Sequence, residues 1–165
     1  MLESANVLLL PAMTIVLITL APTAGADVHC PVEATLVAGA GIVGDRHFSH
    51  EAEVAGQNLT LVEAEELEAF NLRHGTDFPL TAFRRNLVTR GVRLNDLVGR
   101  IFTIGTARLR GVELCEPCAH LAERLADEHL TAPAIVADLV GRGGLRADIL
   151  QGGLVRLGDA LVLEV

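Results

Sequence analysis

The sequence is poor in aromatic residues, which make up 3% of the chain and include neither Trp nor Tyr. Proteins that hold single-stranded nucleic acid commonly stack the bases on aromatic rings, and few such rings exist here. Positive charge is also scarce, because the formal net charge is -8. No overall basic field therefore attracts a phosphate backbone, and both absences argue against nucleic acid as a partner.

Cysteine is scarce as well, and the chain contains Cys30, Cys115 and Cys118 alone. An odd and sparse set of cysteines does not form the disulfide framework that stabilises small secreted domains. We therefore expect a cytoplasmic protein whose thiols stay reduced.

The first part of the chain lacks Lys and Arg, although it contains an apolar run over residues 7–21. Secretory signals normally begin with positive charge, whereas this segment carries Glu3. Pro11 interrupts the run, which is also short for a bilayer span. We predict an N-terminal extension of residues 1–13, a buried strand at Thr14–Leu20 and no membrane partner.

The remaining composition predicts one domain with a core of aliphatic side chains, since 165 residues are enough for one core and 50% of them are hydrophobic. Glycines between short apolar runs predict strands separated by turns. The predicted strands are Thr14–Leu20, Ala34–Ala38, Asn58–Val62, Asn86–Thr89, Ile101–Ile104, Ala107–Glu113, Arg146–Leu150 and Ala160–Val165. The predicted helices are Val62–Arg73, Pro117–His129 and Ala132–Leu139. Many strands and few helices predict a mainly β fold, a closed barrel with a few short peripheral α-helices.

The sharpest local motif is Cys115-Glu116-Pro117-Cys118, which follows a predicted strand and opens a predicted helix. A thiol in the first turn of a helix faces the positive end of the helix dipole, which favours the thiolate. Thiolate is the form that binds soft metals or attacks sulfur. The motif therefore indicates a reactive cysteine.

Three other interpretations of this motif stay open. A redox-active dithiol would use the same spacing, but such a pair usually lies early in a βαβ unit and this one lies late. Half of a zinc site is conceivable with His120 or His129, but no second Cys-x-x-Cys exists. Both cysteines could also be small buried hydrophobes, which is the interpretation we favour for Cys115.

Three further segments combine glycine with arginine or other polar residues. Glycine lets backbone N–H groups approach a phosphate, and arginine binds it with two hydrogen bonds. Each segment could therefore bind an anion, although each alone is more often a solvated turn. The segments are Gly44-Asp45-Arg46-His47, Phe83-Arg84-Arg85-Asn86-Leu87-Val88 and Gly143-Gly144-Leu145-Arg146-Ala147-Asp148.

The order of these segments along the chain resembles the MOSC domain family, the C-terminal domain of molybdenum cofactor sulfurases. The resemblance begins at Gly41–His47 and continues through Arg84-Arg85-Asn86, the Ile104-Gly105 turn and the two-cysteine motif. It ends with Gly143–Ala147 and the closing segment 153–159, so it covers nearly everything from residue 14 to 165. The resemblance implies a MOSC domain over residues 14–165 and a pyruvate-kinase-like β-barrel.

The resemblance also implies a site. In enzymatic relatives a cysteine ligates the molybdenum of the pterin cofactor, and that cysteine matches Cys118. The family's Arg-x-Asn motif, which helps bind the pterin and its phosphate, falls on Arg84 and Asn86. Arg46 and Arg146 are added as cofactor-binding candidates by the anion-binding argument above. The implied cofactor is the molybdenum cofactor, molybdopterin.

The implied activity is reduction of N-hydroxylated small molecules at the metal. The chain has no dinucleotide fingerprint and too few cysteines for an iron–sulfur cluster, so an external electron-transfer protein would be required. A sulfur carrier is the alternative, in which Cys118 bears a persulfide received from a sulfur donor. A cofactor-binding module without catalysis is the third possibility.

Overall fold

The computed structural model describes residues 12–51 and 54–165. It contains ten strands, three α-helices and one 3₁₀ turn at Leu94–Leu97. The strands are β1 (Thr14–Ile18), β2 (Glu33–Val37), β3 (Gly41–Ile42), β4 (Leu59–Glu63), β5 (Leu87–Arg90), β6 (Ile101–Ile104), β7 (Ala107–Leu114), β8 (Leu145–Gln151), β9 (Gly153–Arg156) and β10 (Leu161–Leu163). The helices are α1 (Ala64–His74), α2 (Ala119–Leu125) and α3 (Ala132–Leu139).

Seven strands form one sheet in the order β1-β5-β4-β8-β7-β6-β10. Its two edge strands meet where Thr14 bridges Ala160 and where the Leu161 N–H donates to the Met13 carbonyl at 2.8 Å. The sheet is therefore a nearly closed barrel. Strands β3, β2 and β9 form a second, smaller sheet beside it. All neighbouring strands are antiparallel except β4 and β5, which are parallel and are connected through α1.

Neighbouring residues of the central strands face two different cores. On β4, Leu61 packs inside the barrel and Val62 packs outside it, beneath the helices. On β5, Leu87 and Val88 divide in the same way. This is the two-residue period of a strand that is covered on both faces. The helical layer adds Phe70 and other apolar side chains of α1, α2 and α3 to the outer core.

Local signals set the ends of the helices. Helix α1 carries Glu65 and Glu66 in its first turn and Arg73 and His74 in its last turn. Acidic side chains at the N-terminus and basic ones at the C-terminus interact favourably with the helix dipole. Gly75 stops it in the left-handed conformation, with φ of 65°. Thr131 is the N-cap residue of α3, and its hydroxyl accepts a hydrogen bond from the Ala134 N–H.

The architecture confirms the predicted mainly β barrel with short peripheral helices. Strands β3 and β9 were missed, because a two-residue strand and a strand that begins at Gly153 carry no clear apolar alternation. Helix α2 is shorter at both ends than the predicted Pro117–His129. It ends early because the Asp127 carboxylate accepts the N–H groups of His129 and Leu130, both at 2.8 Å, and closes a turn there.

The predicted extension of residues 1–13 lies outside the described residues except for its last two positions, so the predicted boundary at residue 14 stays a prediction. Among the helices in the described part of the chain, none is long and apolar enough to cross a bilayer.

Candidate functional site

The two cysteines of the Cys115-Glu116-Pro117-Cys118 segment differ in exposure. Cys115 directly follows β7, donates its N–H to the Gly144 carbonyl at 2.7 Å and is 2% exposed. Cys118 is exposed and is the N-cap residue of α2, with extended backbone. The expected place of this thiol in the first turn of a helix was therefore wrong, because α2 begins at Ala119. Both thiols are unbridged.

Cys118 borders two cavities. The first cavity has a volume of about 380 Å³, and its polar lining includes Arg46, His47, Arg85, Asn86, Arg146 and both cysteines of the motif. The second cavity has a volume of about 510 Å³ and is bordered by Arg46, Arg84, Cys118, His120, Glu123 and Arg124, together with Ala24, Gly25 and Leu121. Arg46 and Cys118 border both, so the exposed sulfur lies between two arginine-lined spaces.

Arg84 has an unusual backbone. Its φ of 54° is the only positive φ of a non-glycine residue within the described residues. Such conformations are costly and persist where the surrounding structure requires them. Its guanidinium Nη2 donates to the Ala26 carbonyl at 2.8 Å. Burial, followed by the nearby charges of Arg124 and Arg46, lowers the pKa of Arg84, which means that these guanidinium groups repel one another.

The side chain of Arg85 borders the first cavity, whereas that of its neighbour Arg84 borders the second. The Arg85 Nε donates to the Gly143 carbonyl at 3.0 Å. Its Nη2 is buried and has no hydrogen-bond partner within residues 12–51 and 54–165. An unpartnered buried donor is costly in a folded protein, so an anion that reached this guanidinium would satisfy it.

Asn86 is 8% exposed, and its amide is engaged by the barrel. Its side-chain oxygen accepts the Thr60 N–H at 3.1 Å, and its Nδ2 lies 3.4 Å from the Thr19 carbonyl. The Thr19 hydroxyl in turn donates to the Arg85 carbonyl. Asn86 therefore ties the end of β1 to β4 at the floor of the first cavity.

The loop after β3 brings Arg46 and His47 to the first cavity. The Asp45 carboxylate accepts the N–H groups of Ala21, at 3.2 Å, and His47, at 3.1 Å, which holds the loop against the barrel. The Arg46 Nε donates to the His47 Nε2 at 3.0 Å, which requires a neutral imidazole acceptor. Burial and the charge of Arg46 lower the pKa of His47, and the charge of Arg146 lowers it further.

Gly143 and Gly144 have a packing role. A Cβ on Gly143 would collide with the Cys115 carbonyl, and a Cβ on Gly144 would collide with the Leu61 carbonyl. Gly144 also has φ of 102°, which favours glycine. These glycines let the start of β8 approach the cysteine segment and β4, so their structure gives no support to an anion cradle of backbone N–H groups at this turn.

A family model described as the MOSC domain matches residues 43–162. The chain belongs to the MOSC family. The match includes Arg46, Arg84, Asn86, Cys118 and Arg146, which are all of the residues predicted for the site. No curated protein matches the chain in sequence.

Solved structures share this MOSC fold. The YuaD protein from Bacillus subtilis aligns with a TM-score of 0.79 and 20% identity, over 91% of this chain and 94% of that one. YiiM from Geobacillus stearothermophilus gives 0.70 and 20%, over 93% and 75% of the two chains. YiiM from Escherichia coli gives 0.68 and 20%, over 93% and 70%. At this identity the likeness shows the fold.

The MOSC-motif residues do not all meet in one space. Arg46, Asn86, Arg146 and Cys118 border the first cavity, whereas Arg84 borders the second. The Arg146 Nε lies 3.8 Å from a carboxylate oxygen of Glu113, at the outer limit of an ion pair. The structure therefore brings four predicted residues to the first cavity, and it places Arg84 with Arg46 and Cys118 at the second.

Sequence reasoning missed three residues at these cavities as members of the site. Arg85 was noted within the arginine-rich segment but was passed over in favour of its neighbours. His47 was noted beside Arg46 without a role, and Arg124 gave no signal beyond its place on a predicted helix. All three residues lie at the cavities beside Cys118. The cavities are formed by segments that are distant in the sequence, so this position could not be predicted.

The zinc interpretation finds no support in the described part of this MOSC domain. Residues 12–51 and 54–165 hold no group of three or more His, Cys, Asp or Glu side chains arranged to bind a metal ion. His120 and His129 are exposed and lie near Glu123 and Glu128, at 3.8 and 3.3 Å.

Proposed function

We propose that this MOSC protein binds a molybdopterin-type molybdenum cofactor, with Cys118 as the metal ligand, and reduces N-hydroxylated compounds. The observation that carries the proposal is the convergence of one exposed thiol with several arginines on one polar cavity. A soft thiolate suits a metal that the pterin already holds through sulfur. Guanidinium groups suit the phosphate of the same cofactor.

The first cavity has the donors that such a cofactor requires. Its rim carries Arg46, Arg85 and Arg146, and the buried Nη2 of Arg85 has no partner within the described residues. A phosphate would supply the missing acceptor. Arg46 and Arg85 also form no ion pair with a carboxylate in the described part of the chain, so binding would not require an existing pair to break. Asn86 would hold the cavity floor in place rather than bind the cofactor through its amide.

The proposed reaction is a two-electron reduction. The N–O bond of the substrate breaks, two electrons and two protons enter, and an amine or amidine leaves with one water molecule. When bound, the molybdenum cofactor supplies the two-electron redox chemistry. Cys118 would hold the metal at the junction of the cavities, and the arginines would orient the anionic end of the cofactor. The electrons come from an external electron-transfer protein, and a reducing compartment such as the cytoplasm would keep Cys118 in the thiol form.

A sulfur carrier is the second candidate, favoured by the exposure of Cys118 at a rim that a partner protein could reach. A persulfide on this residue would pass its outer sulfur to an acceptor and leave the Cys118 thiolate behind. The sulfur would come from a persulfide-forming donor protein. A module that binds and delivers the cofactor without turnover would use the same cavity as the reductase.

The decisive experiment is molybdenum and pterin analysis of protein purified from a host that makes the cofactor. We expect about one equivalent of each in the wild type and in Cys115→Ala. We expect neither in Cys118→Ala, whose circular dichroism should stay unchanged because the side chain is exposed. Full cofactor content in Cys118→Ala would contradict the proposal. Intact-mass detection of one added sulfur on Cys118, without molybdenum, would establish the carrier instead.

A further inference from the structure

Arginine pairing is uneven across the molecule. The chain has 13 arginines and no lysine. Within the described residues, eight of them form ion pairs with a carboxylate, as Arg73 does with Asp138. The other five have no such partner there: Arg46, Arg84, Arg85, Arg100 and Arg124. In a chain with 21 acidic residues, unpaired arginines call for a physical explanation.

Four of these five arginines border the cavities at Cys118, and three of the four border the second cavity: Arg46, Arg84 and Arg124. The acidic side chain on the same cavity is Glu123, one of whose oxygens lies 3.8 Å from the Nδ1 of His120. Three guanidinium groups against one carboxylate leave the second cavity with excess positive charge.

This grouping is electrostatically unfavourable in the absence of an anion. The pKa of Arg84 is lowered by burial first and then by the charges of Arg124 and Arg46, while Asp27 and Asp45 offset part of the effect. Like charges held near each other at a partly buried position repel, and an oxyanion between them would turn repulsion into attraction. The backbone of Arg84, with its φ of 54°, adds a second cost at the same place.

The second cavity also differs from the first in its lining. Ala24, Gly25 and Leu121 give it an apolar wall beside the guanidinium groups. Its volume of about 510 Å³ lies within the usual range of small-molecule sites, roughly 300–1,000 Å³. An apolar wall with a few convergent charges is suited to a small organic anion.

We propose that the second cavity is the substrate site and that it selects N-hydroxylated compounds that carry an oxyanion, bound by Arg124 together with Arg46 and Arg84. The N-hydroxyl chemistry rests on the proposed function, whereas the oxyanion site depends only on the arginines. Because Cys118 borders both cavities, a substrate in the second cavity would lie beside the metal ligand, with the cofactor's phosphate in the first.

The test compares benzamidoxime with 4-carboxybenzamidoxime, which differ by one carboxylate. Calorimetry on cofactor-free protein should show tighter binding of the carboxylated probe. Arg124→Gln should weaken that binding roughly tenfold or more, because a charge-assisted hydrogen bond is lost. The matched control is Arg100→Gln, since Arg100 has no ion-pair partner in the described chain and does not border either cavity. Arg100→Gln should bind both probes as the wild type does.

Cofactor content and kinetics separate this proposal from its rivals. In cofactor-loaded protein, Arg124→Gln should keep its molybdenum and pterin but lose the preference in kcat/KM for the carboxylated probe. Equal binding of the two probes by the wild type, or an equal effect of the Arg124 and Arg100 substitutions, would overturn the oxyanion site. Loss of pterin from Arg124→Gln would overturn it too, because the second cavity would then hold the cofactor's phosphate. If the protein binds the carboxylated probe through Arg124 but never contains cofactor, the oxyanion site is supported and the proposed reductase activity is contradicted.

Discussion

Two regions of this MOSC domain treat charged side chains in opposite ways. Between α1 and α3, the carboxylate of Asp138 accepts hydrogen bonds from Arg73 at 3.0 and 2.7 Å. Around Cys118, most of the arginines lack carboxylate partners within the described residues. The backbone there is closely packed at Gly143 and Gly144. Ion pairs hold the first region together. Close backbone packing holds the second and leaves its guanidinium groups available to a ligand.

The largest effect on stability should come from adding a side chain at Gly144, where the backbone of the second region is closely packed. Gly144→Ala places a methyl group against the Leu61 carbonyl at φ of 102°, which should lower the free energy of unfolding by about 3 kcal/mol. Gly44→Ala is the matched control, because Gly44 has φ of 88° but open space around it. It should lose only about 1 kcal/mol. Urea denaturation of both variants measures the difference. Equal losses would show that the close approach of the Leu61 carbonyl adds no cost to a side chain at position 144.

A smaller effect should follow from breaking the ion pairs of the first region. Asp138→Asn should lower the free energy of unfolding at pH 7 by about 1–2 kcal/mol. Burial alone would raise the pKa of Asp138, but Arg73 and, to a smaller extent, His74 outweigh burial and hold the pKa below its usual value. The contribution is therefore complete above the ordinary carboxyl pKa of about 3.9 and is lost as pH falls through the lowered value.

Urea denaturation at a series of pH values checks this sign. The gap in stability between wild type and Asp138→Asn should narrow at acidic pH. A gap that stays constant as pH falls well below the ordinary carboxyl pKa of about 3.9 would mean that charge does not hold this region.

The smallest effect on stability should come from an unpaired arginine. Arg46→Gln should change the free energy of unfolding by less than about 0.5 kcal/mol, since the side chain is exposed and forms no ion pair in the described chain. It should nevertheless raise the pKa of His47, which burial and then the Arg46 charge hold below the ordinary value of about 6.5. Proton NMR titration of the imidazole measures this change.

The sign of the linked stability follows from the same pKa. Because the folded His47 binds its proton less readily than the unfolded chain, wild-type stability should fall slightly as pH drops through about 6.5. That fall should be smaller in Arg46→Gln. An unchanged His47 pKa in the variant would show that the Arg46 charge does not reach the imidazole.

Sequence patterns predicted the barrel because its strands alternate locally. Leu59 and Leu61 of β4 are separated by the half-buried Thr60, and β8 alternates in the same way. The position of Cys118 between a strand and a helix was also predictable, because the motif follows an apolar strand and precedes an amphipathic segment. These features depend on residues close together in the chain, which is why the sequence alone exposes them.

The division of the arginines between two cavities could not be predicted. Arg84 and Arg85 are adjacent, yet their side chains border different cavities. Their hydrogen-bond partners are far away in the sequence, since Arg84 donates to the Ala26 carbonyl and Arg85 to the Gly143 carbonyl. Likewise, Gly144 and its neighbour suggested an anion cradle, but the carbonyls that exclude a side chain there belong to other segments.

Nitrogen-15 NMR of the arginine Nε–H groups, recorded while cofactor-free protein is titrated with inorganic phosphate, reports whether these arginines bind an anion. We expect saturable shifts for the unpaired arginines at the cavities, Arg46, Arg84, Arg85 and Arg124. Arg73 and Arg108, each already bound to a carboxylate, should not shift. Equal shifts at paired and unpaired arginines, or none at the cavities, would contradict the view that this rim is built to bind an anion beside Cys118.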